Sequence, residues 1–234
     1  MNRSPRHVRA CWLGSLPYRE AWDLQATLVA DLRADRGEDR LLLLEHPHVF
    51  TLGKAAVPDH VLWDEAERAT RQVEVVWSDR GGEATYHGPG QLVGYPVLDL
   101  VRFGLTIPGY IDLLERTLIG YLAELGIDSE PGEPGLTGVW YGGEKLAAIG
   151  IKLNGSIVSH GFALNLTTDL DYFAGIIPCG HAERRPTSVA ALTGRVIPAE
   201  TAARDLARHF GRLLEAEIDW VPEGQVIGAK GATA

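Results

Sequence analysis

Two residues with reactive side chains, a cysteine and a lysine, lie in sequence contexts unusual for core or surface positions. Cys179 occurs in "IIPCGH", between a proline and a glycine, where a loop is expected rather than a core strand. A nucleophilic cysteine must be partly thiolate, yet its unperturbed pKa of about 8.5 leaves only a small fraction ionised near neutral pH. Cys179 is therefore a candidate nucleophile that needs a cationic or basic neighbour.

Lys145 is the candidate for that neighbour, because it interrupts an apolar stretch, "GGEKLAAIGIKLNG". Of the 22 basic residues only four are lysines, at positions 54, 145, 152 and 230. An ammonium beside Cys179 would favour the thiolate, and lysine, unlike arginine, can also exchange a proton. The alternative is a solvent-facing lysine at a strand edge, which composition does not exclude.

A glycine-rich loop, "RGGEATYHGPGQ", spans residues 80–91. Glycines permit unusual backbone dihedrals and allow the backbone to approach a ligand closely. The chain contains no GxxxxGK[ST] motif, and "GPGQLVG" differs from GxGxxG in spacing and is followed by a strand-like sequence. Nucleotide binding through either motif is disfavoured. A tight hairpin connection is the alternative use of these glycines.

Metal binding and hydrolysis are rival uses of the same side chains. His87, His160, Cys179 and His181 could supply zinc ligands, but their spacing matches no CxxC, HExxH or paired Cys/His pattern. A Cys-His-Asp hydrolase with His87 or His160 as the base would leave Lys145 and the glycine loop without a role. The second cysteine, Cys11 in "RACWLG", is interpreted as a buried free thiol.

The composition favours one intracellular domain. A chain of 234 residues with 45% hydrophobic content fits a single domain, 1–234. A net charge of -9 argues against nucleic-acid binding. No apolar run approaches the roughly 20 residues of a membrane span, and no signal peptide is visible, so we expect a cytoplasmic protein. A basic patch of Lys152, Arg184 and Arg185 could dock an acidic protein partner.

The hydrophobic pattern predicts three long helices and several short strands. The first helix should carry Trp22, Ala26, Val29 and Leu32 on its buried face and end at Arg36-Gly37. The second should bury Ile111, Leu114, Leu118 and Leu122, and the third should run from about Ala199 to Glu217. Strands are predicted in "RLLLLEHPHVFTLG", "VEVVWSD" and "QLVGYPVLDL", and a meander over 138–166 turns at Asn154-Gly155.

This order of elements indicates an α+β fold, with a mixed, largely antiparallel sheet and helices packed on it. The strands run in neighbouring groups rather than alternating regularly with helices, which disfavours an all-parallel sheet. The stretch "SEPGEPGLTG" is expected to be an exposed loop within the domain.

Taken together, four motifs resemble the lipoyl(octanoyl) transferase family: "EHPHVFTLG", "RGGEATYHGPGQLVGYPVLDL", "GEKLAAIGIKLNGSIVSHGFALNL" and "GIIPCG". The likeness covers about residues 41–185. It implies the fold of the biotin and lipoate protein ligases. It also implies that Cys179 carries an acyl group as a thioester and that Lys145 tunes its ionisation. His87 or Lys145 would then accept a proton from the attacking amine.

The resemblance further implies which residues line the substrate pocket. They come from the glycine loop and from two strands of the meander: Arg80, Gly81, Gly82, Glu83, Ala84, Thr85, Tyr86, His87, Ala148, Ile149, Gly150, Gly161, Phe162 and Ala163.

The activity implied by the resemblance is octanoyl transfer from acyl carrier protein to a lysine of lipoyl domains. The acceptors would be E2 subunits of 2-oxoacid dehydrogenases and the glycine cleavage H protein. No ATP and no metal would be needed, because the donor is already a thioester. Two alternatives stay open: an ATP-dependent lipoate or biotin ligase, and a noncatalytic acyl-binding module.

Overall fold

The computed structural model describes residues 6–133, 135–177 and 185–227. The strands are β1 Arg6–Ser15, β2 Arg40–Glu45, β3 Val49–Leu52, β4 Glu74–Trp77, β5 Ala84–His87, β6 Gln91–Asp99, β7 Glu130–Pro131, β8 Gly138–Tyr141, β9 Glu144–Asn154, β10 Ile157–Asn165 and β11 Ala216–Trp220. The helices are α1 Tyr18–Arg33, α2 Glu65–Thr70, α3 Leu100–Phe103, α4 Ile107–Glu124, α5 Val189–Thr193, α6 Ala199–Leu214 and α7 Gly224–Ile227, with 3₁₀ turns at Pro58–His60 and Leu170–Gly175.

The larger sheet has eight strands in the order β11-β1-β2-β6-β10-β9-β8-β7. Strands β11, β1 and β2 pair in parallel, and every other neighbouring pair in this sheet is antiparallel. Helices α4 and α6 pack on one face and α1 packs on the other. The α+β prediction with a mixed, largely antiparallel sheet is confirmed.

Strand β2 shows why a continuous apolar run forms the centre of this sheet. Side chains alternate between the two faces of a strand, so a strand covered on both faces needs apolar residues at every position. Leu41 and Leu43 contact the core under α4 and α6, whereas Leu42 and Leu44 contact the core under α1. All four leucines are completely buried.

A smaller sheet has the strand order β4-β3-β5. Its strands fall between β2 and β6 in the sequence, and β5 is part of the glycine loop. Strand β3 pairs in parallel with β4 and antiparallel with β5. Its own core contains Phe50, Leu52, Tyr86 and Ile176, against which Trp63 packs. The predicted strands β2, β3, β4 and β6 and the β9–β10 hairpin at Asn154-Gly155 are confirmed.

Several sequence predictions were wrong in detail. Helix α1 ends at Arg33 rather than at Arg36-Gly37. Ala26 is exposed, because the buried face of α1 is formed by Ala21, Leu24, Gln25, Leu28, Val29 and Leu32. Helix α6 ends at Leu214, since Glu215 adopts the left-handed conformation (φ 54°) and strand β11 follows. Residues 84–87, which sequence reasoning left in a loop, form strand β5.

None of the described helices combines the length and the apolar composition that a membrane span requires.

Candidate active site

A cavity of about 500 Å³ opens where the glycine loop meets strands β9 and β10. It is lined by residues 80–85 and His87, by 148–150 on β9 and by 161–163 on β10. Lys145, at the start of β9, also lines it. Segments distant in sequence but predicted as one pocket therefore surround a single cavity, with one exception described below.

Arg80 holds the glycine loop in place on the cavity wall. Its buried guanidinium donates hydrogen bonds to the carbonyl oxygens of Thr51 (2.7 Å), Glu83 (2.8 Å) and Gly81 (3.0 Å) and to the Thr51 hydroxyl (2.9 Å). These contacts join the loop to β3, the central strand of the smaller sheet. A planar group with several fixed donors suits this arrangement of acceptors.

Close backbone contacts or a left-handed backbone favour glycine at three positions in and around the loop. A Cβ at Gly53 would collide with the carbonyl oxygen of Gly82, and a Cβ at Gly150 would lie 3.1 Å from the carbonyl oxygen of Gly81. Gly82 itself has a φ of 84°, which disfavours other residues. The Gly81 N–H donates to the Ile151 carbonyl (2.8 Å), so the loop lies directly across β9.

Tyr86 is the exception, because it does not line the cavity with the rest of 80–87. Side chains alternate along β5, so Thr85 and His87 share one face and Tyr86 points to the other. There its hydroxyl bonds to Nδ1 of His48 (2.8 Å) and its ring stacks on Tyr172, with centroids 5.0 Å apart. Tyr86 therefore packs in the core of the smaller sheet, and its predicted place in the pocket is corrected.

His87 lies at the cavity wall with one ring nitrogen engaged. Its Nδ1 is 2.7 Å from Oε1 of Gln91. Its ring stacks on Tyr18 and contacts His46 edge-on, with centroids 5.9 and 5.5 Å apart. Burial, with the nearby His46 and Arg80, lowers the pKa of His87 well below its usual value. The imidazole is therefore neutral at physiological pH.

His46 forms part of the buried layer beneath His87. Its Nδ1 donates to the Leu16 carbonyl (2.6 Å) and its Nε2 accepts from the Tyr95 hydroxyl (2.8 Å). Burial lowers the pKa of His46 to about 4. Both ring nitrogens are satisfied, so His46 has a structural role and supports the wall from which His87 reaches the cavity.

An ion cluster of Asp79, His160 and Lys152 adjoins the loop. His160 Nε2 donates to one carboxylate oxygen of Asp79 (2.9 Å), and Lys152 Nζ lies 2.5 Å from the other. The hydrogen bond from His160, aided by Lys152, lowers the pKa of Asp79, while burial lowers the pKa of His160. Lys152 is thus engaged with Asp79.

Of the predicted basic patch only Lys152 and Arg185 are described, because Arg184 lies outside the described residues.

Lys145 is half-buried, and its Nζ lies 4.8 Å from the ring centroid of Trp140, within cation–π range. Its backbone pairs with the segment 185–187: Lys145 N donates to the Arg185 carbonyl (2.9 Å) and Thr187 N donates to the Lys145 carbonyl (3.0 Å). Cys179 lies outside the described residues. The role predicted for it and its contact with Lys145 stay predictions.

Cys11 is a free thiol in the core, as predicted. It is completely buried, and burial raises its pKa to about 11. Among the described residues, the one cluster with metal-ligand geometry is His7, Glu217 and Asp219, which is exposed on β1 and β11 rather than in the cavity. His87 and His160 form no such cluster with described residues; Cys179 and His181 lie outside them.

Sequence reasoning missed several residues that line the cavity: Tyr18, Gln91, Tyr95, Leu136, Trp140 and Asn165. Leu136 belongs to the "SEPGEPGLTG" loop, which was predicted only as exposed. Buried amides such as Gln91 and Asn165 give no periodic signal. The polar positions within the apolar strands β6 and β10 were the available hint, because buried polar groups require partners.

Comparison with known proteins gives the class of this catalytic domain. The family model of the Lipoyl protein ligase A/B catalytic domain matches residues 17–211. Among solved structures, a lipoate-protein ligase A bound with ATP superimposes with a TM-score of 0.76 at 18% identity, covering 95% of this chain and 92% of that one. A biotin protein ligase from Aquifex aeolicus gives 0.50 at 12% identity, covering 88% and 69%. These similarities confirm the predicted biotin/lipoate ligase fold.

Curated relatives narrow the class. An octanoyltransferase of Chloroflexus aurantiacus is 45% identical over 91% of this chain and 96% of its own length. One of Gloeobacter violaceus is 51% identical over 71% and 73%. The chain therefore belongs to the octanoyltransferase family and is an acyltransferase. The predicted resemblance is confirmed.

Proposed function

We propose that this protein transfers an octanoyl group from octanoyl-acyl carrier protein, through a thioester on Cys179, to a lysine of lipoyl domains. One observation supports it above all: the loop 80–85, His87, Lys145 and the β9 and β10 segments surround a single cavity of about 500 Å³. That volume lies within the range of small-molecule sites. Apolar side chains such as Ile149 and Phe162 on its wall suit an acyl chain.

The pairing of Lys145 with segment 185–187 supports its action on Cys179. The chain that follows residue 184 returns to β9 at Lys145 itself. An ammonium near the thiol would favour the thiolate. The other cysteine of the chain, Cys11, is unsuited to attack a thioester, because burial raises its pKa to about 11. Cys179 is accordingly the nucleophile of the proposal.

In the first half-reaction the Cys179 thiolate forms a bond to the octanoyl carbonyl carbon, and the carbon–sulfur bond to phosphopantetheine breaks. The phosphopantetheine thiolate leaves and takes up a proton. The carbonyl oxygen gains negative charge in the transition state and needs hydrogen-bond donors. The Gly81 N–H already binds the Ile151 carbonyl, so other backbone N–H groups of the loop or of the Cys179 segment supply these donors.

In the second half-reaction the acceptor lysine attacks the Cys179 thioester, and the Cys179 thiolate leaves. A nitrogen that has attacked is far more acidic than a free ammonium, so a weakly basic imidazole can accept its proton. His87 is neutral and lines the cavity, which supports it in this role. Lys145 in its neutral form is the alternative acceptor.

The proposed reaction uses no ATP and no metal. Exchange between two thioesters needs no activation, and amide formation from a thioester is favourable. The proposed acceptors are the lipoyl domains of 2-oxoacid dehydrogenase E2 subunits and the glycine cleavage H protein. A bi-partite lipoate protein ligase studied with its E2 lipoyl domain from Thermoplasma acidophilum has the same fold, with a TM-score of 0.69 at 18% identity over 96% of this chain and 90% of that one.

The thioester is tested by intact mass after mixing the protein with octanoyl-acyl carrier protein without ATP. We expect one hydroxylamine-labile octanoyl group on the wild type and none on Cys179→Ala. The chain supplies a matched control in its only other cysteine: Cys11→Ala should acquire the group. A lipoyl domain added afterwards should receive octanoyl from the loaded protein.

Three outcomes would contradict this. Acceptor octanoylation by Cys179→Ala at the wild-type rate would mean direct transfer without a cysteine thioester. Modification of the acceptor only with free octanoate and ATP would identify an ATP-dependent ligase. Octanoate bound without any covalent product would indicate an acyl-binding module.

The role of His87 is tested by separating the two half-reactions in single-turnover assays. We expect His87→Ala to load octanoyl at close to the wild-type rate and to transfer it to the acceptor about 10²-fold more slowly, the lower end for general-base catalysis. Equal loss in both steps would indicate damage to the cavity, and unchanged transfer would exclude His87 as the proton acceptor.

A further inference from the structure

Two buried amides, Gln91 and Asn165, connect His87 to the backbone beside Lys145. They face each other as a cross-strand pair, Gln91 at the start of β6 and Asn165 at the end of β10. Gln91 Oε1 lies 2.7 Å from His87 Nδ1, and Gln91 Nε2 lies 2.9 Å from Asn165 Oδ1. Asn165 Nδ2 lies 3.0 Å from the carbonyl oxygen of Thr187. All three side chains are at least 95% buried.

Backbone carbonyls determine the direction of every hydrogen bond in this network. The Thr187 carbonyl can only accept, so the Asn165 amide nitrogen points toward it and Oδ1 points toward Gln91. The Tyr86 carbonyl, 3.2 Å from Gln91 Nε2, also can only accept. Both protons of the Gln91 amide are therefore donated, to Tyr86 and Asn165. Gln91 Oε1 is left as the acceptor that faces His87.

This orientation fixes the tautomer of His87. Because Gln91 Oε1 accepts, His87 Nδ1 must carry the proton, and in a neutral ring Nε2 then holds the lone pair. Nε2 makes no hydrogen bond within the described part of the chain, and His87 lines the cavity. The lone pair is therefore on the one ring nitrogen that the network leaves unoccupied.

Four titratable groups face His87. They are Tyr18 from the start of α1, His46 after β2, Arg80 from the glycine loop and His160 from β10. Arg80 is cationic, and burial keeps His46 and His160 neutral near pH 7. Among the described groups, none that acts on His87 is an anion that would stabilise an imidazolium.

We propose that Gln91 and Asn165 are positioning residues that hold His87 as the Nδ1-protonated tautomer, with Nε2 ready to accept the proton of the attacking amine. Gln91 contacts the ring directly. Asn165 donates to the Thr187 carbonyl and accepts from Gln91, and it thereby fixes the orientation of the Gln91 amide. The catalytic consequence rests on the proposed function, in which His87 is the proton acceptor. The tautomer itself can be measured without substrate.

The test uses protein labelled with ¹⁵N-histidine and long-range ¹H–¹⁵N correlation spectra, with the His87 signals assigned by their loss in His87→Ala. We expect wild-type His87 to show a protonated Nδ1 and an unprotonated Nε2 across pH 6–8. Gln91→Met removes the acceptor at nearly constant volume and should let the tautomers mix. Gln25→Met is the matched control, because Gln25 is equally buried but binds the Ala21 carbonyl and the His160 N–H instead; the His87 pattern should persist in it.

Kinetics then tests the link to catalysis. One neutral hydrogen bond corresponds to about a fivefold change in an equilibrium, so Gln91→Met should slow acceptor transfer about fivefold and leave octanoyl loading unchanged. The same change in a His87→Ala background should cause no further loss, because Gln91 acts through His87. Asn165→Leu should show a smaller loss of the same kind.

Four outcomes would overturn the proposal or part of it. Protonated Nε2 in the wild type would overturn the tautomer assignment, and this measurement needs no variant to fold. An unchanged His87 pattern in Gln91→Met would overturn the positioning role, and additive losses in the double variant would separate Gln91 from His87. The expected tautomer in a protein that transfers no octanoyl would overturn the proposed function and the catalytic role, while the tautomer assignment would stand.

Discussion

The Arg80 side chain binds the loop to which it belongs. Its guanidinium donates to the carbonyls of Thr51, Gly81 and Glu83, so one planar group joins strand β3 to two carbonyls of the loop. Because Gly53 and Gly150 have no side chain, the backbone of the loop packs directly against the backbone at these two positions. Arg80 is thus placed to shape the cavity wall whether or not it also touches an acyl group.

We expect Arg80→Lys to lower the free energy of unfolding by about 2–4 kcal/mol, because an ammonium cannot reproduce the planar set of donors that binds three carbonyls and the Thr51 hydroxyl. Urea unfolding measures this change, and intact mass measures the rate of octanoyl loading. Arg19→Lys is the control, since Arg19 is exposed and makes one ion pair with Glu74. It should change stability by less than about 0.5 kcal/mol.

The two measurements distinguish the possible roles of Arg80. Parallel losses in stability and loading would support a clamp on the loop. Full stability with impaired loading would contradict the clamp and indicate that the guanidinium contacts the substrate.

Elements with a strong local pattern were predictable from sequence. The leucine run of β2 and the Asn154-Gly155 turn of the β9–β10 hairpin each reflect short-range physics, burial on both faces in one case and a left-handed turn in the other. Strands β1 and β11 were not predicted from the sequence, because each forms its backbone hydrogen bonds with a partner strand that is distant in the chain. They pair in parallel, Arg6 with Ala216, across most of the chain length, and no local signal encodes such a pairing.

The parts of the candidate site that carry recognisable sequence motifs could be predicted from the sequence. The glycine loop and the β9 and β10 segments were grouped through the family resemblance, and they surround one cavity. Tyr86 was misplaced because residues 84–87 were left in a loop, and only the alternation of strand β5 turns its side chain away. Gln91 and Asn165 were missed because their function depends on strand register, which brings them opposite each other.

At the scale of the whole molecule, three segments far apart in sequence each bring a buried histidine to the region of the cavity. His46 follows β2, His87 ends β5 and His160 lies in β10, where it adopts a left-handed conformation (φ 57°) with its N–H bound to Gln25. Burial lowers the pKa of all three. The folded protein therefore resists protonation that the unfolded chain accepts.

This difference predicts that stability falls as pH is lowered from 7 to 5. Below pH 6.5 the unfolded chain protonates His46, whereas the folded protein does so only near pH 4, so the unfolded state binds more protons in this window. His46 alone should lower the free energy of unfolding by about 2 kcal/mol at pH 5. His87 and His160 act in the same direction. Asp79, whose pKa is lowered, contributes stability that is lost only at more acidic pH.

Urea unfolding at pH 7 and pH 5 measures the effect. In His46→Gln the drop between the two pH values should shrink by about 2 kcal/mol, because the amide does not titrate. His7→Gln, at a position where the side chain is 51% exposed, should retain the wild-type drop. Equal stability of the wild type at the two pH values would mean that the folded protein admits protons to this layer, and the neutral state on which the His87 base depends would then be lost below pH 6.5.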